Sequence, residues 1–369
     1  MLAKCCWRRR KQPVGTSSLT LVTVVSILLR LGNNIEGFND WSPAFGTTAR
    51  WMLKQRNTVC NFPLQKERSI KSVEHTFSLH STNPNEDDRD WNLQQRNLRF
   101  SGVGKLYSPV NEETQQLSVV DRLAESTVTV IGIGGIGSWS VEALCRSGVG
   151  NIIMIDLDDI CISNSNRQLH ALSGSIGKFK TRVMKDRLLD INPGCNVTLV
   201  ETFVTAENVD DILKHIGPMT ALIDAIDGQH EKCALIAACA KLKIPIVTVG
   251  GAAGRVDPTK IIYDDLTKAH DDRLLGRCRK VLRQSYGFDK GPPNNVKNNH
   301  RPKKWNITAV FSSEKQKARV DKKSSGSLRT CDGYMGTACF VTGTYGFVAA
   351  SEVVRMIAED DLQIPLGPS

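Results

Sequence analysis

Short apolar runs alternate with amphipathic stretches between about residues 111 and 249. The first predicted elements are a helix over 111–125, a buried strand over 127–132, a helix over Ile136–Ser147 and a strand over Asn151–Ile155. Further helices and strands alternate over 178–191, 197–200, 207–213, 221–223, 232–242 and 245–249. Because helices and strands alternate, we predict an α/β fold of Rossmann-like type, with a mostly parallel sheet covered by helices on both faces.

The pattern changes after residue 249, where the regular alternation ends. The predicted elements are, in chain order, a short β-hairpin (255–256 with 261–263), a basic helix (273–286), a flexible basic loop without core-forming residues (about 288–304), a strand (307–311) and a buried apolar helix (336–357). These elements predict a C-terminal α/β extension of the sheet.

The first 85 residues differ in composition from the rest of the chain. They begin with a basic stretch and an apolar run, Leu19–Leu29, that is short for a membrane-spanning helix. We expect a targeting segment, or alternatively a membrane anchor through residues 19–31, and an organellar destination, either the mitochondrion, including its outer membrane, or a plastid. The predicted domain boundaries are 1–36 for this segment, 37–85 for a disordered spacer, 86–358 for the folded domain and 359–369 for a tail.

The net charge is +10, but it is unevenly distributed along the chain. Residues 1–85 hold 12 Lys/Arg and only 4 Asp/Glu, and the folded part is therefore close to neutral. The overall charge is weak evidence for RNA binding. Within the folded part, the basic segment 273–304 has two interpretations: a contact with the anticodon arm of a tRNA, or a solvated loop.

The 11 cysteines include no C-x-x-C pair, and the sequence therefore shows no structural zinc site. Five cysteines lie in apolar runs, and we expect them to be buried reduced thiols: Cys145, Cys161, Cys233, Cys239 and Cys339.

A glycine motif lies where the first predicted strand ends and the next helix begins. Gly132, Gly134 and Gly137 have the G-x-G-x-x-G spacing, and Asp156 ends the second strand 24 residues after Gly132. This is the nucleotide-binding layout of a βαβ unit, in which the acid binds the ribose. Hydride-transfer dehydrogenases share this layout, so the motif alone leaves the chemistry open.

Polar residues follow several of the predicted strand ends. In the loop Ser163–Gln168, Arg167 can bind phosphate oxygens through two nitrogens. Lys180, at a helix start, can neutralise charge on a transferred phosphoryl group. Asp227, after the strand 221–223, can hold Mg²⁺ against phosphates, and Gly250-Gly251 allows close backbone approach.

Each of these residues also has an ordinary structural interpretation. Arg167 alone suits a surface salt bridge, Lys180 a solvated helix charge and Asp227 a helix N-cap. The glycines could serve helix–strand packing only. An Arg, a Lys and an Asp on successive strand ends nevertheless fit nucleotidyl transfer from ATP, with pyrophosphate as the leaving group.

Four motifs, in this order, resemble the ubiquitin-activating-enzyme-like (MoeB/ThiF) family of adenylating enzymes: G-x-G-G-x-G-S, D-L-D-D-x-C-x-S-N-x-N-R-Q, G-K-x-K and D-A-I-D. Within that family, the motifs N-R-Q-L-H-A-L, I-N-P and I-P-x-V-T-x-G-G are similar to those of the tRNA threonylcarbamoyladenosine dehydratases, as is R-F-x-G from Arg99 onward. The resemblance covers about residues 95–358.

The resemblance implies a ThiF-type adenylating fold and an ATP-dependent cyclisation. The carboxylate of threonylcarbamoyladenosine in tRNA would attack the α-phosphorus of ATP, and pyrophosphate would leave. The carbamoyl group would then close onto the acyl-adenylate and expel AMP, a step that gains from intramolecular proximity. The implied substrate is thus tRNA, and the implied cofactors are ATP and Mg²⁺.

The family's functional positions carry over residue by residue, and they imply a homodimer with partly shared sites. The implied roles are the nucleotide floor for Gly132, Gly134, Gly135 and Gly137, the ribose contact for Asp156, phosphate contacts for Asn164, Arg167 and Lys180, the Mg²⁺ ligand for Asp227, and for Arg99 a contact with the phosphates of the partner subunit. The implied catalytic residues are Arg167, Lys180, Asp227 and Arg99.

One position departs from the family's pattern. The bacterial relatives carry a cysteine before the V-F-S-x-E motif, whereas Ala309 precedes Val310–Glu314 here. A covalent thioester at that place is therefore not expected. Its loss weakens the main competing hypothesis, an activating enzyme for a ubiquitin-like or sulfur-carrier protein.

A catalytically idle nucleotide-binding scaffold and a hydride-transfer dehydrogenase are weaker hypotheses for this chain. The intact Arg167, Lys180 and Asp227 argue against the scaffold, and the polar loop 163–168 has no role in the dehydrogenase. A sulfur-transfer protein partner, as used by some bacterial relatives, stays open.

Overall fold

The computed structural model describes residues 93–108, 113–290, 303–317 and 335–367. The predicted targeting or anchor segment, the spacer and most of the basic loop lie outside the described residues.

The described residues form eight α-helices, and most of them connect strands of one sheet. Their bounds are α1 Leu93–Tyr107, α2 Glu113–Glu125, α3 Gly137–Arg146, α4 Lys180–Ile191, α5 Val209–Ile216, α6 Gln229–Leu242, α7 Arg273–Ser285 and α8 Cys339–Ala358.

Seven strands of the described chain form a single mixed sheet in the order β3-β2-β1-β4-β5-β7-β6. Their bounds are β1 Thr127–Ile131, β2 Asn151–Ile155, β3 Asn196–Val200, β4 Ala221–Asp224, β5 Ile246–Val249, β6 Ile261–Asp265 and β7 Thr308–Ser312. All neighbouring strands are parallel except β6, which runs antiparallel to β7. Strands β2 and β3 lie on one side of β1, whereas β4 and the later strands lie on the other. In open α/β sheets, ligands bind at such a switch point, beyond the carboxyl ends of the strands.

Helices cover both faces of the sheet, and successive side chains of a strand point to opposite faces. In β2, Ile152 and Met154 join the apolar cluster that includes residues of α2, α3, α4 and α8. Ile153 and Ile155 join the cluster that includes residues of α5, α6 and α7. The predicted fold class, a mostly parallel α/β sheet covered on both faces, is therefore confirmed.

The structure corrects three predictions. The hairpin between 255–256 and 261–263 does not form: Ile261–Asp265 pairs instead with β7, far along the chain. The loop after α7 does contain a core residue, since Phe288 is buried and its ring lies 4.9 Å from that of Trp305.

The third correction concerns the thiols. Cys145, Cys233 and Cys239 are buried as predicted, whereas Cys161 and Cys339 are exposed. Cys161 lies in the polar loop after β2 and Cys339 is the first residue of α8, where one side of the chain faces water.

Candidate active site

The glycine turn joins β1 to α3 at the carboxyl edge of the sheet. Gly132 has φ +87°, a left-handed conformation that favours glycine, and a Cβ there would lie 3.0 Å from the carbonyl oxygen of Ala225. A Cβ on Gly137 would overlap the carbonyl oxygen of Gly132. These two glycines let the turn close tightly. Gly134 and Gly135 are less crowded, with no atom nearer than 3.4 Å to a Cβ at either position.

Ile133, inside this turn, is held at both of its backbone polar groups. Its N–H donates to Oδ2 of Asp156 at 2.7 Å, and its carbonyl oxygen lies 2.9 Å from Nε2 of His170. His170 is buried, and desolvation together with the charge of Lys180 lowers its pKa to about 4. A neutral imidazole therefore donates its Nε2 proton to the turn at neutral pH.

Asp156 directly follows β2, within one residue of the strand end that the sequence predicted. Burial raises the pKa of its carboxyl group, opposed by the positive charge of Lys180 and by two backbone donors. One of these donors is Ile133 and the other is the N–H of Asp158, at 2.8 Å from Oδ1. The carboxylate is thus fixed beside the glycine turn, where it can accept hydrogen bonds from ribose hydroxyls.

The polar loop after β2 places Arg167 over the glycine turn. The Cγ atom of Arg167 lies 3.4 Å from a Cβ built on Gly135, and its Nη1 donates to Ser163 and to the side chain of Asn166, both at 2.8 Å. Asn164 is buried and its Oδ1 accepts from the N–H of Cys161 at 3.0 Å. Asn164 therefore shapes the loop that carries Arg167.

Trp139 also fixes this loop from the side of α3. Its indole Nε1 donates to the carbonyl oxygen of Arg167 at 3.0 Å, and the hydroxyl of Thr342 donates to the same oxygen at 3.3 Å. The backbone of Arg167 is thus held by α3 and α8, and the residue as a whole is half-buried at the turn.

Lys180 is the first residue of α4 and is 5% exposed. Its Nζ lies 2.6 Å from Oδ2 of Asp158, whose side chain is 51% exposed. The buried stem makes a solvated helix charge the wrong interpretation of this lysine. In the sequence Asp158 looks like an ordinary loop acid, and only the folded structure shows it to be the partner of Lys180.

Asp227 lies in the loop between β4 and α6, next to the glycine turn. Its side chain is exposed. The N-cap of α6 is Gly228, with no side-chain cap hydrogen bond, and Asp227 is therefore not the helix cap. Its oxygens remain available to a ligand, since the described residues give it no hydrogen bond or ion pair.

Beneath this loop lies a fully buried ion pair that sequence reasoning missed. Nζ of Lys232 lies 2.7 Å from Oδ2 of Asp224, and both side chains are 0% exposed. Thr248 donates to the same oxygen at 2.7 Å, and the N–H of Ile226 donates to Oδ1 at 3.1 Å. The pair therefore joins β4, β5 and α6 and fixes the start of the loop that carries Asp227. Lys232 directly precedes the apolar helix run Cys233–Ala240, and that position was the available signal.

The Gly250-Gly251 turn after β5 is held by Asp272. The N–H of Gly251 donates to Oδ2 of Asp272 at 3.0 Å, and a Cβ on Gly250 would overlap this carboxylate. The buried guanidinium of Arg255 lies 3.2 Å from the same oxygen. The close approach predicted for these glycines is thus made to a protein carboxylate.

Arg99 is the predicted site residue that the chain does not bring to the others. It is exposed on α1, and its Nη1 donates to the carbonyl oxygen of Ile191 at 3.1 Å. Ile191 ends α4 shortly before β3 begins, at the opposite edge of the sheet from the glycine turn. A role for Arg99 in catalysis therefore requires a second subunit.

The carboxyl edge of the sheet thus gathers the glycine turn, Asp156, Arg167, Lys180 and the loop of Asp227. Among the described residues, no group of three or more His, Cys, Asp or Glu side chains could hold a metal ion by itself. The fold and the site define a nucleotide-binding α/β protein with cationic side chains beside its glycine turn.

A model of the ThiF family matches residues 106–366, and the chain therefore belongs to the ThiF family. It is 42% identical over 258 residues to the tRNA threonylcarbamoyladenosine dehydratase of Haemophilus influenzae, which covers 69% of this chain and 92% of that protein. It is 40% identical over 269 residues to the enzyme of the same name from Escherichia coli, which covers 70% of this chain and 92% of that protein.

The solved structure of E. coli tRNA N6-threonylcarbamoyladenosine dehydratase, TcdA, in complex with ATP is similar to this fold. Its TM-score is 0.59 at 38% identity, over 72% of this chain and 95% of that chain. The predicted family and the ThiF-type fold are therefore confirmed.

The same comparisons correct the expected localisation. The curated relatives at about 40% identity are bacterial tRNA-modifying enzymes, and the organellar destination inferred from residues 1–36 is therefore wrong. Within the part of the chain that the structure describes, no helix is both long enough and apolar enough to cross a membrane. The predicted anchor at 19–31 lies outside that part.

Proposed function

We propose that this protein is an ATP-dependent tRNA threonylcarbamoyladenosine dehydratase. One observation carries the proposal: the glycine turn, Arg167, Lys180 and the Asp227 loop meet at one sheet edge in a chain 42% identical to such an enzyme over 92% of its length. ATP as the nucleotide is supported by the ATP complex of the similar E. coli structure.

Each residue of the edge has a separate task in this reaction. The glycine turn receives the nucleotide, with Asp156 on the ribose and the α3 N-terminus favouring the negative phosphates. Arg167 and Lys180 neutralise the charge that develops as the carboxylate of the modified base attacks the α-phosphorus and pyrophosphate leaves. The adenylate makes the acyl oxygen a good leaving group, and the carbamoyl group then displaces AMP and closes the ring.

Lys180 changes partners when the nucleotide binds. In the structure its ammonium pairs with Asp158, an exposed carboxylate that water can solvate at little cost. The phosphates of ATP replace this carboxylate, and the buried stem of Lys180 keeps the charge in position during the exchange.

Mg²⁺ fits the oxygen chemistry of this edge. Asp227 presents an exposed carboxylate without a partner among the described residues, and Mg²⁺ is commonly bound by one or two carboxylates together with substrate phosphates. When bound, the ion would neutralise phosphate charge. Asp227 is the residue of this chain that would hold it.

We further propose that the enzyme works as a homodimer in which Arg99 serves the partner's site. Arg99 is remote from its own glycine turn, and the same helix exposes two large apolar side chains, Leu98 at 79% and Leu106 at 78%. A second copy that covered this helix would remove both side chains from water. A sulfur-transfer protein remains a candidate partner on family resemblance alone.

Mass spectrometry of tRNA nucleosides tests the activity. Purified full-length protein with ATP and Mg²⁺ should convert threonylcarbamoyladenosine in tRNA to a product lighter by one water, with release of AMP and pyrophosphate. Lys180→Ala should reduce turnover by at least about 100-fold, the scale expected for a group that stabilises transition-state charge. Lys178→Ala removes an exposed lysine two residues away and should retain activity.

Two outcomes would contradict this function. Intact ATP binding without any change in the nucleoside mass would exclude the dehydratase. Pyrophosphate exchange that depends on the C-terminus of a ubiquitin-like protein, and not on tRNA, would establish the competing activating enzyme.

A further inference from the structure

Helix α7 divides its side chains between two opposite faces. The face packed into the core, beside α6, comprises Leu275, Cys278 and Leu282. The opposite face is exposed and carries Arg273, Arg277 and Lys280, hereafter the basic stripe. The spacing of four and three residues aligns the three cations along one side of the helix.

The other two arginines of α7 have structural roles. The guanidinium of Arg279 donates to the carbonyl oxygens of Leu266 and Ala269, the first at 3.2 Å. The guanidinium of Arg283 lies 5.2 Å from the ring centroid of Trp305. In contrast, no residue of the basic stripe forms an ion pair or side-chain hydrogen bond with the part of the chain that the structure describes.

The basic stripe begins beside the candidate active site. Asp272 caps the first turn of α7, since its Oδ1 accepts from the N–H of Leu275 at 2.9 Å, and its Oδ2 accepts from the N–H of Gly251 at 3.0 Å. Gly251 follows β5 at the carboxyl edge of the sheet. The stripe therefore starts at the edge that holds the glycine turn, and it extends about 10 Å from Arg273 to Lys280.

We propose that the basic stripe binds the sugar-phosphate backbone of the tRNA substrate, which deepens the proposed function and rests on it. The target nucleotide must enter the carboxyl edge while the rest of the tRNA stays outside. An arm of the tRNA then passes over the rim where α7 begins. Three aligned cations match the repeated charge of an RNA strand, and such contacts orient the nucleic acid without specifying its sequence.

The orientation of α7 argues against an anionic membrane as the occupant. A helix that binds a membrane surface inserts its apolar face between the lipids. The apolar face of α7 is already buried in the core of the domain. Its exposed side is polar, and the neutral Gln284 follows the basic stripe on that side. An RNA backbone needs only the charges and therefore fits this surface.

The test compares full-length wild type with the triple variant Arg273→Ala/Arg277→Ala/Lys280→Ala. The probe is fluorescently labelled tRNA that carries threonylcarbamoyladenosine, and the dissociation constant is measured between 50 and 200 mM salt. Loss of three phosphate contacts should reduce the slope of log affinity against log salt by about 2 to 3. The ratio of wild-type to variant affinity for tRNA should therefore fall about 16- to 64-fold as the salt concentration rises fourfold.

A second triple variant removes the same charge from the opposite edge of the sheet. Lys214→Ala/Lys241→Ala/Lys243→Gly changes exposed residues at the ends of α5 and α6, and glycine suits position 243 because its φ is +57°. This control should keep the wild-type slope. In the basic-stripe variant the KM for tRNA should rise, while the KM for ATP and kcat at saturating tRNA stay unchanged.

The proposal and the function on which it rests fail in different ways. If wild type neither binds nor converts the tRNA, the proposed function fails together with the basic stripe. If wild type converts the tRNA and the two triple variants have the same salt slope, only the basic-stripe proposal is overturned. Loss of binding to vesicles with 30% phosphatidylserine, with tRNA binding unchanged, would assign the surface to a membrane instead.

Discussion

Replacing Lys232 by methionine should strongly destabilise the protein although no predicted site residue changes. Methionine preserves the length and apolar body of the side chain but removes the cation from the buried carboxylate of Asp224. Both side chains are 0% exposed and their charged atoms lie 2.7 Å apart. Thr248 and the N–H of Ile226 still donate to the carboxylate, but they carry no full charge.

The magnitude follows from leaving one buried charge without its partner. Removal of one member of a buried ion pair costs about 3–5 kcal/mol. In a domain of this size, 1 kcal/mol shifts Tm by about 2–4 °C. We therefore expect a Tm lower by about 6–20 °C for Lys232→Met, measured by calorimetry or by circular dichroism on the full chain.

Two companion variants separate the ion pair from a general effect of mutating α6. Lys241→Met, in the same helix, removes an exposed lysine that pairs with Asp210 at 2.9 Å, and such surface pairs contribute about 0–1 kcal/mol. The double variant Asp224→Asn/Lys232→Met is neutral at both positions and should recover most of the lost stability.

Two results would refute this reasoning. A Tm within about 2 °C of wild type for Lys232→Met would show that the carboxylate does not need the cation. A double variant as unstable as Lys232→Met would show that the lysine acts through packing rather than charge.

Two further predictions concern pH and Mg²⁺. Burial lowers the pKa of His170 to about 4 from an unfolded value near 6.5, so the unfolded state binds more protons between these values and about 2 kcal/mol of folding stability should be lost from pH 7.5 to pH 5. His170→Gln keeps a donor for the carbonyl oxygen of Ile133 and should remove this part of the pH dependence. An identical pH profile of Tm in wild type and variant would contradict the assignment. Asp227→Asn should raise the Mg²⁺ concentration needed for half-maximal turnover without changing Tm, because the carboxylate is exposed and caps no helix. The control is Asp211→Asn, which changes another exposed acid. A lowered Tm for Asp227→Asn would indicate a structural role instead.

The sequence predicted the parallel part of the sheet because its signal is local. Each of β1 to β5 is a short apolar run bounded by a helix with its own periodicity, and parallel strands joined by helices have few possible arrangements. The antiparallel strand β6 could not be assigned in this way. Its partner is β7, which begins at Thr308, and the intervening residues carry no turn signal that specifies this long-range pairing.

The structure brings the predicted site residues other than Arg99 to one edge of the sheet, and their roles there stay predictions. The contacts that support these residues were not foreseen from the sequence. The identity of a charged residue does not show whether it is buried or exposed, and the sequence around Lys232 does not indicate that Asp224 is its partner. The same holds for His170, whose imidazole holds the turn through the carbonyl oxygen of Ile133. Contacts of this kind depend on tertiary packing, which periodicity does not encode. The predicted role of Arg99 could not be derived from the fold of one chain either, since it requires a second chain.

The ion pair of Lys180 shows how such a site can be ready for a polyanion before one binds. An isolated ammonium group at this depth would pay a desolvation penalty, and Asp158 offsets it while the nucleotide is absent. Because Asp158 is half exposed whereas Lys180 is 7% exposed at its side chain, the two partners differ in what they lose on separation. In the proposed mechanism the carboxylate returns to water, and the lysine stays in place for the phosphates. The protein would then position the cation before ATP arrives, which is the condition under which electrostatic stabilisation costs no reorganisation during the reaction.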